Sequence, residues 1–60
     1  MIAKGSLVRV VKPHGRFHEG KYLSVADRLQ DELVVYVEQN ARGKWITARI
    51  PIDCVKEVVA

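Results

Sequence analysis

A chain of 60 residues has room for one domain and one thin core, because a chain this short buries a smaller share of its surface than larger domains do. An apolar content of 48%, with no run near the roughly 20 apolar residues of a membrane helix, excludes a helical membrane protein. The single cysteine, Cys54, excludes an intrachain disulfide, and with only two histidines the usual zinc spacings are missing.

The net charge of +3 is unevenly spread. Residues 1–30 carry six bases and two acids, a balance of +4, while residues 31–60 carry four bases and five acids, a balance of −1. That asymmetry suggests an acidic partner, either a protein or a nucleic acid; an ordinary solvated surface with a basic excess is the bland reading. The opening segment alternates and is charged within ten residues, so it lacks the apolar block of a signal peptide and a cytoplasmic or stromal location is expected.

In chain order, Leu7 to Val11 reads as the first strand, opened by Gly5-Ser6 and closed by Lys12-Pro13. Val8 and Val10 are expected inward, with Leu7, Arg9 and Val11 on the other face, since successive side chains alternate across a strand. Pro13 to Gly20 holds one proline and two glycines in eight residues and reads as a loop, with Phe17 expected to tuck back over the core. Lys21 to Arg28 is a second strand with Leu23 and Val25 on one face and Tyr22, Ser24 and Ala26 on the other, followed by a turn at Leu29-Gln30-Asp31.

Leu33 to Glu38 is the strongest strand, crowded with β-branched and aromatic residues; Leu33, Val35 and Val37 are expected inward. Gln39 to Lys44 has the composition of a hairpin loop. Trp45 to Ile50 alternates strictly, placing Ile46, Ala48 and Ile50 inside and Trp45, Thr47 and Arg49 outside. Pro51 ends that strand, Ile52-Asp53-Cys54 suits one 3₁₀ turn with Cys54 as a small buried residue, and Val55 to Val59 adds a closing strand.

Five short strands with polar loops, no helix and no internal repeat make residues 1–60 a single all-β domain, best accommodated as a small SH3-like barrel with a short 3₁₀ turn before the last strand. Closure of the sheet is expected, because it would remove the exposed edges of so small a structure.

Lys4-Gly5-Ser6-Leu7-Val8-Arg9-Val10, Phe17-x-x-Gly20, Val34-Val35-Tyr36-Val37-Glu38 and the closing Arg49-Ile50-Pro51-Ile52-Asp53-Cys54-Val55-Lys56-Glu57-Val58 resemble the small SH3-like subunits of cyanobacterial and plastid electron-transfer complexes. These are the S and O subunits of the photosynthetic NAD(P)H dehydrogenase-like complex and the E subunit of photosystem I. The resemblance spans most of the chain and implies an accessory or regulatory subunit that docks an acidic electron-transfer protein such as ferredoxin. The same residues also resemble the KOW motif of ribosomal proteins and transcription factors, which implies RNA binding, although Asp31-Glu32 stands where that motif has a glycine.

With the inward sets assigned, Arg9, Tyr22, Tyr36, Trp45, Thr47 and Arg49 fall on outward faces, beside Arg42 and Lys44 of the hairpin. Tyr, Trp and Arg dominate interface hot spots, because each covers much area and keeps a polar or charged handle. Arg9, Tyr36, Arg42, Lys44, Trp45 and Arg49 are therefore the candidate partner-binding residues, with Arg42, Lys44 and Arg49 first for electrostatic steering. The competing expectation buries the aromatic rings on the back of the barrel. RNA, through stacking and phosphate contacts, is the less favoured partner, and self-assembly into a homo-oligomer is a third reading. The fold itself sets no oligomeric state and names no partner.

Catalysis has the least support. His14 and His18 lie in a loop broken by proline and glycine, and no Gly-rich phosphate loop, nucleophile elbow or paired carboxylate pattern occurs. No catalytic residue, metal or cofactor is expected, and the chain is read as a binding module without direct membrane insertion.

Overall fold

The computed structural model describes residues 2–58. Within them, β1 (Leu7–Val10), β2 (Tyr22–Arg28), β3 (Glu32–Gln39), β4 (Trp45–Pro51) and β5 (Val55–Glu57) form one antiparallel sheet in the order β4-β3-β2-β1-β5, with a 3₁₀ turn at Ile52–Cys54 before β5. This order, with a long β1–β2 loop and the turn before the last strand, is that of the SH3-like fold expected from the sequence.

The strands exist where β-branched residues are concentrated, and the alternation of side chains across each strand sets what is buried. Val8 and Val10 of β1, Leu23 and Val25 of β2, Leu33 and Val35 of β3, Ile50 of β4 and Val55 of β5 meet in one core. Phe17 closes it from the β1–β2 loop, as its place as the sole large apolar residue of that loop implies. The loop is held for this by a two-way backbone pair between His14 and Phe17, at 3.0 and 2.9 Å. Gly20, at φ 91°, then donates its N–H to the Val10 carbonyl at 2.7 Å, in a conformation that costs a glycine little.

β2 is the strand on which the sheet folds. Its first half pairs with β1 through Tyr22–Arg9, Leu23–Val8 and Ser24–Leu7, and its second half pairs with β3 from Val25–Val35 onward. Between them the register shifts at Ala26, an extra residue that bends and twists the strand so that the two halves of the sheet can wrap the same core.

Several boundaries differ from expectation. β1 ends at Val10, because the Val11 and Lys12 N–H groups turn away to donate to the Cys54 carbonyl at 2.8 and 3.2 Å. β2 begins at Tyr22, β3 gains a residue at each end, β4 runs on through Pro51, and β5 stops at Glu57; Val59, expected in the last strand, lies outside the described residues. Cys54 is half-buried and packs against the core from the side.

Two expectations fail for physical reasons. The sheet stays open, since no ladder joins β4 to β5 and the chain passes between them through the 3₁₀ turn. Ile46, expected inside, is 39% exposed. A second bulge inserts Val37 between the pairs Tyr36–Thr47 and Glu38–Ile46, and β2 accompanies β3 no further than Val35. The tip of the β3–β4 hairpin therefore extends past its neighbour, and Ile46 has no layer to pack against.

Candidate functional site

The candidate site is built on that overhanging hairpin. Tyr36 and Thr47 are directly opposed, and Trp45 lies two residues before Thr47 on the same face. The Tyr36 and Trp45 rings meet edge to face, with centroids 5.4 Å apart and planes at 62°, a geometry that sets the positive edge of one ring against the negative face of the other. Both rings face solvent, Trp45 at 54% and Tyr36 at 38% exposure, so the reading in which they seal the back of the barrel does not hold. Arg49, opposite Val34, continues the same face of β4.

Arg42 and Lys44 stand at the hairpin tip. The loop is a three-residue turn closed by Asn40 N–H to the Lys44 carbonyl at 2.8 Å and Gly43 N–H to the Asn40 carbonyl at 3.0 Å, with Gly43 at φ 80° in the left-handed position this loop class requires. The Asn40 Oδ1 accepts from the Arg42 and Lys44 N–H groups at 2.9 and 3.0 Å, and Gln39 Nε2 donates to the Gly43 carbonyl at 3.2 Å. The backbone that carries both cations is thus pinned, and only their side chains must be ordered when a partner binds.

Towards its tip the hairpin keeps its one acid, Glu38, off the aromatic face. Glu38 opposes Ile46, and alternation sends that pair to the face away from Trp45 and Thr47. Among the described residues the single ion pair is Lys4 to Asp27 at 3.8 Å, so Arg42, Lys44 and Arg49 have no carboxylate within that range.

Of the six expected residues, the structure brings five to one hairpin: Tyr36, Arg42, Lys44, Trp45 and Arg49. Arg9 lies elsewhere, on β1, with β2 between it and the hairpin strands. Its register neighbours are Tyr22 on one side and Lys56 on the other, and Lys56 was not among the candidate partner-binding residues. The signal for it was present in its position one residue after the buried Val55, but pairing of the last strand with the first is needed to give that position a meaning.

The geometry defines a small all-β domain of SH3-like strand order with two exposed aromatic and basic areas. Comparison of the chain with protein-family models, curated proteins and solved structures finds no match. Among the described residues no three His, Cys, Asp or Glu side chains converge as metal ligands, and no helix is long and apolar enough to cross a membrane.

Proposed function

We propose that this protein is a non-catalytic binding module whose β3–β4 hairpin docks an acidic protein partner. The supporting observation is the exposed Tyr36–Trp45 pair at 5.4 Å, flanked by Arg42, Lys44 and Arg49, none of which is in an ion pair among the described residues. An edge-to-face aromatic pair on a rigid hairpin offers contact area at little entropic cost, and cations at its rim accelerate encounter with a negative surface. The resemblance to accessory subunits of photosynthetic electron-transfer complexes makes an acidic ferredoxin-like protein the first partner to test, with the module serving as a docking or regulatory subunit.

The test is titration of an acidic ferredoxin-like protein with the wild-type chain and with the double variant Arg42→Glu/Lys44→Glu at low salt. Reversing both charges is expected to weaken binding by about ten-fold or more, chiefly through the association rate, and the difference should shrink as salt approaches physiological strength. Equal affinity of both proteins at low salt would remove the hairpin from the binding surface.

A further inference from the structure

Arg9 and Lys56 are directly opposed across the β1–β5 ladder. Both are exposed, each standing beside buried valines that fix its strand's inward face: Val8 and Val10 around Arg9, Val55 before Lys56. Opposed residues of antiparallel strands lie roughly 4.5–5.5 Å apart, and like charges there are destabilising. On the other side of Arg9, Tyr22 occupies the next ladder position and is 58% exposed. The result is a straight row, Lys56–Arg9–Tyr22, across three strands.

Among the described residues no ion pair relieves the repulsion. The remaining outward ladder positions of this half of the sheet, Leu7 and Ser24, are uncharged. Neither cation has a carboxylate in ion-pair range among the described residues. The neighbouring β1–β2 loop adds Lys12, Arg16 and Lys21 against the single acid Glu19. A domain with one thin core therefore holds two like charges side by side without compensation, at a face that opens on no cavity among the described residues.

We infer that this row is a second binding site, separate from the hairpin, for a single-stranded nucleic acid: Arg9 and Lys56 hold the phosphodiester backbone and Tyr22 offers its ring to a base. A negative phosphate between the two cations turns their repulsion into joint attraction, and the arginine fork suits phosphate oxygens. A sheet face without a pocket among the described residues accommodates an extended strand better than a small molecule, which needs concavity. A stacking ring beside a cationic track is how proteins hold unpaired bases, whereas a duplex keeps its bases stacked and out of reach of Tyr22.

The experiment is fluorescence anisotropy of a labelled oligouridylate of about 12 nucleotides, a length within the range of single-strand site sizes, titrated with the full chain. Wild-type binding is expected to weaken steeply with added salt. Arg9→Gln and Lys56→Gln should each weaken binding and lower the slope of log affinity against log salt by about 1, and Tyr22→Ala should cost about five-fold or more. The two glutamine variants should also melt at or above the wild-type temperature, because each removes the like-charge contact, so lost binding cannot be ascribed to lost structure.

Arg42→Gln/Lys44→Gln should leave oligonucleotide affinity within about two-fold, since those residues belong to the β3–β4 turn and not to the β5–β1–β2 ladder positions of the row. The inference is overturned if wild type does not bind at low salt, if the three row variants bind as wild type does, or if the hairpin variant loses as much as they do. It is equally overturned if polyglutamate of matched charge displaces the oligonucleotide as well as unlabelled oligonucleotide does, which would make the occupant an acidic polypeptide.

Discussion

Trp45 and Phe17 show how position decides what an aromatic ring contributes. Phe17 is 3% exposed and completes the core from a loop, so Phe17→Ala is expected to cost about 3–5 kcal/mol, read as a lower urea midpoint. Trp45 is half exposed and touches Tyr36 at its edge; Trp45→Ala should cost under about 1.5 kcal/mol of stability while removing most binding to an acidic partner. A Trp45→Ala variant that unfolds like Phe17→Ala would show that the indole supports the fold and not a partner. The exposure of Trp45 was legible from strict alternation in Trp45–Ile50, and the burial of Phe17 from its isolation among loop residues.

At the scale of elements, the β3–β4 hairpin depends on its turn as much as on its strands. Asn40 satisfies two loop N–H groups with one side-chain oxygen, so Asn40→Ala should destabilise by about 1 kcal/mol or somewhat more. At Gly43 an added Cβ would meet nothing within 4 Å, so the cost of Gly43→Ala is that of left-handed backbone alone, about 1–2 kcal/mol. Both variants should lower binding to the acidic partner, because they loosen the turn that carries Arg42 and Lys44; urea unfolding and the same titration measure the two effects. The loop was recognisable from its composition, yet its cap was not, because Asn40 acts through the particular turn the chain adopts. The bulge at Val37 was likewise hidden: Leu33–Glu38 is one crowded β-branched and aromatic run, and only pairing with β4 shows where one residue is set aside.

For the whole molecule, the size of the core sets the margin. Stability of roughly 0.05–0.15 kcal/mol per residue gives a chain of this length about 3–9 kcal/mol in total. Leu33, fully buried, would by truncation to alanine remove about 2–5 kcal/mol, a large share of that margin, so Leu33→Ala is expected to melt far below the wild-type temperature by circular dichroism; a cooperative melt near the wild-type temperature would contradict the assigned core. The open edges at β4 and β5 are the second consequence of small size. β4 carries Arg49 and abuts Lys44, so two copies pairing edge to edge would bring like charges together, a protection common on exposed strands. Sedimentation at micromolar concentration and low salt should therefore show a monomer, whereas a dimer would favour self-assembly.

The sequence by itself determined the strands, their inward valines and leucines and the 3₁₀ turn, because these follow from alternation, from β-branched side chains and from Pro51, all local properties. It also marked which aromatic and basic residues face outward on each strand. Only the tertiary structure decided which outward residues are neighbours: that Arg9 stands beside Lys56 and Tyr22, that Tyr36 meets Trp45, that Ile46 is left uncovered, and that β4 and β5 remain apart. Each of these depends on strand order and on single-residue bulges. Such features are set by how distant segments share one small core, and the pattern within a single strand carries no record of them.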